Sequence, residues 1–258
     1  MTIGVGFKCS DGIVLCADNQ ITWLGSHKNY ECKLYPHRQH EWSTVFTFAG
    51  NPNLMKSFND KFDETMKMMK APFMVSGIRD VIETVLSFFD VLKDNPTDLC
   101  LLCAICVSAE KDFRLFKTEG YTIHEVAGYD YVGIGDSSLL RYLGQLLTSP
   151  SEQRPYGYIV RQGAILGSYL VLKAKTHIDG CGGDTDTWIL RPSGQLEVKS
   201  GGEVYRTEQT MLKLEMLVKK VASCFFDKRV TDEELATTLD FLIAVVKDEH
   251  FEFRIPAN

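Results

Sequence analysis

Apolar and polar positions divide the chain into a strand-rich opening, a helical stretch, a second strand-rich stretch and a helical end. Thr2 to Lys8 reads as a strand, Ser10-Asp11-Gly12 as a tight turn, and Ile13–Ala17 as the returning strand, which ends at Asp18. Leu34-Tyr35 begins another strand, and Ser43–Phe48 runs through Ala49-Gly50 into a helix opened by Asn51-Pro52-Asn53. From Pro52 to Met69 the apolar residues Leu54, Met55, Phe58, Phe62, Met66 and Met69 recur at helical spacing. A break at Ala71-Pro72 precedes a second helix from about Val75 to Leu92, ended by Asn95-Pro96. Leu101–Val107 and Phe113–Phe116 read as strands. Helices are predicted over Leu139–Leu147 and Gln162–Lys175. Thr187–Leu190 and Gln195–Val198 flank a hairpin turn at Pro192-Ser193-Gly194. The final helices run from about Thr207 to Phe226 and onward from Thr231, where Glu234 completes a capping box.

Composition permits a single soluble domain. The chain has 258 residues, 45% hydrophobic and 24% charged, enough to bury a sizeable core. A net charge of −6 argues against nucleic acid as a main partner. No apolar run is long enough to span a membrane. No basic segment leads an apolar core at the N-terminus, so a cytoplasmic protein without a signal peptide is expected. The eight cysteines then point to a reducing compartment.

The opening residues carry the candidate chemistry. Removal of Met1 would leave Thr2 with a hydroxyl nucleophile beside a free α-amine, whose ordinary pKa near 8 lets it act as a base. Asp18 ends an apolar strand, where a charge is costly to bury without a partner. Lys33 stands immediately before the strand pair Leu34-Tyr35. Gly50, at a strand-to-helix junction, lets a backbone N–H approach a ligand closely.

These residues resemble the proteasome β subunits and the bacterial HslV peptidase, which are N-terminal-nucleophile hydrolases. The resemblance rests on Thr2, the Asp11-Gly12 turn, Ala17-Asp18-Asn19-Gln20-Ile21-Thr22 with Gly25, and Phe48-Ala49-Gly50. The Asp-x-Gln-x-Thr form is the more HslV-like. Lys33 stands one residue nearer Asp18 than the family pattern. Either the loop is one residue shorter or Lys28 takes the role, and Lys33 is preferred because it opens a strand. More weakly, Gly133-Ile134-Gly135-Asp136-Ser137-Ser138 resembles the family's Gly-x-Gly-Ser element. Ile178-Asp179-Gly180-Cys181-Gly182-Gly183 resembles its Asp-x-x-Ser-Gly-Gly, one residue short and with Cys181 near the serine position. Asn51 stands where the family has a second glycine, and Asp136 where it has serine.

The resemblance implies an α+β fold, a four-layer αββα sandwich, as one domain over residues 1–258 with a C-terminal helical extension over 203–258. It implies that Thr2 attacks a peptide carbonyl and passes its proton to its own amine or to Lys33. Asp18 would fix Lys33, the Gly50 N–H would stabilise the oxyanion, and Ser137 and Asp179 would orient the Thr2 amine. For Ser137 and Asp179, simple capping and turn formation is the competing reading. Ile21, Thr22, Phe48 and Pro52 would form an apolar specificity pocket. The expected substrate is a peptide or unfolded protein, and the expected assembly a homo-oligomeric ring, with an ATPase unfoldase as candidate partner. No metal or cofactor is expected.

Other constellations read as structural. Cys100, Cys103 and Cys106 alternate faces in a strand and cannot converge on a metal. His37 and His40 near Cys32 lack a second ligand pair. Gly133-x-Gly135 lacks the third glycine of a dinucleotide site. Asp184 and Asp186 could hold a cation but read more simply as turn residues. Met211, Leu214, Leu217, Val218 and Val221 form a stripe suited to covering a helix layer or to a subunit contact. Three functions fit the residues: a threonine peptidase, a silent assembly subunit of the same fold, and an amidohydrolase of small amides. The first is taken forward.

Overall fold

The computed structural model describes residues 2–23, 27–133, 140–141, 157–226 and 229–252. Ser137 and nearly all of the helix expected over Leu139–Leu147 lie outside them. Strands β1 (Ile3–Cys9) and β2 (Gly12–Asp18) form the expected hairpin. They are followed by β3 (Gln20–Trp23), β4 (His27–Tyr30), β5 (Leu34–Arg38) and β6 (Trp42–Gly50). Helices α1 (Pro52–Met68), α2 (Val75–Ser87) and the short α3 (Val91–Asp94) lead to β7 (Leu99–Val107), β8 (Asp112–Glu119), β9 (Thr122–Val126) and β10 (Tyr129–Gly133). Helix α4 (Val160–His177), β11 (Thr185–Leu190), β12 (Leu196–Val198), α5 (Gly201–Phe226) and α6 (Asp232–Glu252) complete the described chain.

Two five-stranded sheets, ordered β10-β1-β2-β11-β12 and β5-β6-β7-β8-β9, are antiparallel throughout, and β3-β4 is a separate ribbon. Alternation along each strand sorts its residues between layers. On β6 and β7, Trp42, Phe46, Phe48, Leu101, Cys103 and Ile105 face α1 and α2, meeting Met55, Phe58, Phe62, Ile78 and Ile82. Their neighbours Val45, Ala49, Leu102, Ala104 and Cys106 face the first sheet, where Ile13, Leu15 and Ala17 of β2 meet them. The outer face of that first sheet, with Ile3, Val5, Phe7, Val14 and Cys16, packs on Val160, Ala164, Leu170 and Val171 of α4. This is an α+β sandwich layered αββα. Cys103 and Cys106 lie in different layers, as a strand requires.

The helix termini explain the boundaries. Asn51 caps α1 by accepting from the Asn53 N–H at 2.9 Å, and Pro52 is the first helical residue. Helix α4 begins two residues before the expected Gln162, because Asp11 in the β1–β2 turn accepts the Val160 N–H at 2.7 Å. Arg191 holds the same carboxylate at 2.9 Å. Helix α5 begins at Gly201 rather than Thr207. Ser200 and Glu203 form a capping box there, strong enough to start a helix across two glycines. The expected box at Thr231 and Glu234 opens α6, with bonds of 2.9 and 3.2 Å.

The chain divides into two compact units, residues 1–204 and 205–258. The first holds both sheets and α1–α4; the second holds most of α5 and all of α6. No described helix is long and apolar enough to cross a membrane.

Gly12 takes φ +147°, and a Cβ there would stand 2.6 Å from the Leu190 carbonyl oxygen. Gly12→Ala should cost about 1–3 kcal/mol in urea unfolding through backbone strain and the clash. Gly202→Ala, where a Cβ meets open space in a helix, should instead be neutral or stabilising by up to about 1 kcal/mol.

Candidate active site

The end of β2 delivers Asp18 into the interior, and the residue leading into β5 delivers Lys33 to it. Both side chains are 0% exposed, and Lys33 Nζ donates to Asp18 Oδ1 at 2.8 Å. The ammonium also donates to the Gln20 carbonyl at 2.5 Å. Lys28, the alternative lysine, sits on β4 opposite Thr22 and is exposed. Burial holds Lys33 below the usual lysine range, although the Asp18 charge works in the other direction.

Asp18 is satisfied from three directions. Besides Lys33, its Oδ1 accepts the Ile3 N–H at 2.9 Å, and its Oδ2 accepts the Gly182 N–H at 3.1 Å. The Ile3 N–H belongs to the peptide joining Thr2 to β1. The backbone of the proposed nucleophile is therefore tied to the carboxylate that holds Lys33, and Thr2 itself is 6% exposed. Asp18 thus brings the start of β1, the lysine and the turn before β11 to one point.

Gly50 ends β6 with φ +119°, a conformation in which a Cβ would run into the Asp98 carbonyl. The Asn51 N–H donates to that same carbonyl at 2.7 Å, and Gly50 stands opposite Leu99. Antiparallel ladders alternate bonded and non-bonded pairs, so the Gly50 N–H turns away from β7, toward the β5 side. There β5 begins only at Leu34, opposite Thr47, and stops short of Gly50.

The remaining expected residues fall in different places. Ile21 is buried on β3, and Thr22 lies on the same strand. Pro52 is half-buried at the start of α1. Phe48 is 0% exposed in the layer between β6 and the helices, its ring 5.8 Å from that of Tyr35, so it is not brought to the inner face with Ala49. Asp179 is exposed in the turn after α4. Cys181, two residues on and next to the Gly182 N–H that bonds Asp18, is buried and feels the charges of the pair. Burial and the Asp18 charge push its thiol up to about 11, with Lys33 opposing.

Sequence reading missed three contributors, the Gln20 carbonyl, the Gly182 N–H and Asp186, and placed Cys181 only by its likeness to a family serine position. Asp186 is not a turn residue; it lies within β11, opposite Ala17. Gln20 carries a faint signal, because its side chain donates to the Gly180 carbonyl at 3.2 Å and its N–H to the Gly182 carbonyl at the same distance. Among the described residues no group of three His, Cys, Asp or Glu side chains could hold a metal.

No protein-family model matches the chain, and no curated protein matches it either. Solved structures do. Anbu (ancestral β-subunit) from Yersinia bercovieri superposes with a TM-score of 0.69 at 16% identity, over 85% of this chain and 96% of its own. The Gly-1 mutant of Anbu from Hyphomicrobium sp. strain MC1 gives 0.67 at 15% identity, over 86% of this chain and 100% of its own. The helical assembly of the Anbu complex from Pseudomonas aeruginosa gives 0.62 at 11% identity, over 84% and 96%. At such identities the likeness is one of fold: residues 1–258 contain the sandwich of the Anbu subunits at nearly their full length.

Proposed function

We propose that this chain is a threonine-type peptidase of the proteasome-β kind, with Thr2 as nucleophile once Met1 is removed. The observation that carries the reading is Asp18, which binds the Lys33 ammonium and the backbone N–H following Thr2 through one oxygen atom. Of the three ammonium hydrogens of Lys33, two go to Asp18 and the Gln20 carbonyl. The third position serves the Thr2 hydroxyl.

In this reading Lys33 accepts the Thr2 hydroxyl proton as Thr2 Oγ attacks the peptide carbonyl carbon. Burial supports that role, because it weakens the hold of Lys33 on its own proton. The Gly50 N–H, turned off the β7 ladder, donates to the tetrahedral oxyanion. Collapse breaks the C–N bond, the leaving amine takes a proton, and an ester to Thr2 remains. Water then attacks that ester, its hydroxyl going to the acyl carbon and its proton, by way of Lys33, to Thr2 Oγ. Ile21, Thr22 and Pro52 remain the proposed pocket, with a peptide or unfolded protein as substrate. Ser137 and Asp179 retain their proposed part in orienting the freed amine. The P. aeruginosa Anbu complex forms a helical assembly, and this chain is proposed to self-associate in a ring or a helical array. An ATPase unfoldase is the proposed feeder. Eight free cysteines suit a reducing, cytoplasmic setting.

Intact mass of the purified protein should show Met1 absent, and a peptide epoxyketone should add once, at Thr2. Thr2→Ala should abolish both the adduct and peptide turnover; an unchanged turnover would discard the reading. Lys33→Met should lower the acylation rate by about 10²–10⁴-fold, the usual share of a general base. Because the neutral amine of Lys33 is the active form, acylation should rise with pH through a limb lying below the usual lysine range. A rate independent of pH across that interval would remove Lys33 from the role.

The same pair bears on stability. Asp18→Asn leaves a buried ammonium without its counter-charge and should cost about 3–5 kcal/mol in urea unfolding.

A further inference from the structure

Beside the Lys33–Asp18 pair stands a second carboxyl group that the reaction above does not use. Asp186 pairs with Ala17 in the β11–β2 ladder, one register position from the Thr185–Asp18 pair. Alternation places it on the face that carries Leu190 and Ala17, toward the second sheet, from which Cys32 and Lys33 approach. Cys32, the residue immediately before Lys33, donates its thiol to the Leu34 carbonyl at 3.6 Å and is among the groups that act on the Asp186 carboxyl. Asp186 Oδ2 is buried and has no hydrogen-bond partner among the described residues. An ionised oxygen in that position is expensive unless a nearby cation compensates it, and Lys33 is the cation that acts on it.

We propose that Asp186 is a positioning residue for Lys33, a second carboxylate that holds the lysine between two negative charges and sets how readily it exchanges a proton with Thr2. The proposal rests on the peptidase reading for its catalytic consequence and, for the coupling, on the register of β11 beside Asp18, the buried unpartnered Asp186 oxygen and the charge of Lys33 that acts on it. The groups acting on Asp186 are Cys32 and Lys33 ahead of β5, Asp18 at the end of β2 and Asp184 ahead of β11. Burial raises its carboxyl above the usual range, Asp184 and Asp18 add to this, and Lys33 and Cys32 oppose it. In return, the Asp186 charge raises the proton affinity of Lys33, against the effect of burial. Removing that charge therefore lets Lys33 lose its proton at lower pH. A residue that merely supported β11 would leave that limb in place.

The test has two arms. First, acylation of Thr2 by a peptide β-lactone, which ring-opens to leave an ester on Thr2 Oγ, is followed against pH in the Met1-free full chain and in Asp186→Asn. The expected result is a rising limb displaced to lower pH by about one unit, with inhibitor affinity unchanged, which corresponds to a tenfold change in proton affinity. An undisplaced limb in a folded variant overturns the proposal. Asp186→Ser replaces the Asn variant if the latter does not fold, with the same expectation. Second, in a Thr2→Ala chain, which cannot acylate, urea unfolding is measured for Lys33→Met, Asp186→Asn and the double variant at neutral pH. Coupling predicts folding constants that depart from additivity about tenfold; additive effects overturn it. Absence of acylation in the unsubstituted chain refutes the peptidase reading alone, and the second arm then decides on Asp186.

Discussion

The structure depends on an ion pair that joins its two sheets. Asp18 ends a strand of the first sheet, and Lys33 precedes the edge strand of the second. Both are fully buried, which costs several kcal/mol per ion unless geometry and further hydrogen bonds compensate. Compensation comes from four separate segments. The carboxylate takes the Ile3 and Gly182 N–H groups as well as the ammonium, and the ammonium takes the Gln20 carbonyl. Satisfying one buried charge therefore pulls together the start of β1, the end of β2, the lead into β5 and the turn before β11. That convergence builds the candidate site in the same act that makes the fold tolerable.

The layers around the pair were largely legible. Alternating apolar residues in β1, β2, β6 and β7 announce strands, and Phe58, Phe62 and Met66 at helical spacing announce α1. Asp18 was readable because an acid at the end of an apolar run needs a partner, and Lys33 because it opens a strand. Other features were hidden for physical reasons. The ribbon β3–β4 is short, and its second strand, His27-Lys28-Asn29-Tyr30, lacks apolar alternation. The start of α5 was masked by Gly201 and Gly202, whose low helix propensity was outweighed by the box of Ser200 and Glu203.

The candidate site was legible where local pattern governs it and opaque where pairing across the chain does. Phe48 could have been placed correctly: it shares parity with Trp42 and Phe46 on β6, so it belongs to the helix-facing layer while Ala49 turns inward. Asp186 could not. Its place beside Asp18 follows from the register of β11 on β2, a contact between residues more than a hundred and fifty positions apart in sequence. No local pattern encodes such a register; it is settled by which faces are buried.

The groups assigned to chemistry come from both sides of the inter-sheet layer. Asp18 belongs to the first sheet and Thr2 leads into it, while Gly50 and Lys33 belong to the second or its approach. Their spacing is therefore set by how closely the sheets pack. Gly4 and Gly6 permit that closeness: a Cβ on Gly4 would stand 2.8 Å from Thr47 Oγ1, and one on Gly6 3.1 Å from the Leu115 side chain. Both glycines lie on the strand that begins with the residue after Thr2. Bulk added there would press the sheets apart at the end where Thr2, the proposed nucleophile, would meet Lys33 and Gly50. Such a change would lengthen the path between Thr2 and Gly50 before it broke the ion pair, since Lys33 has a flexible stem and a backbone N–H has none. Gly50, the proposed oxyanion donor, is thus the part of the candidate site most sensitive to packing, and Lys33 the part most sensitive to charge.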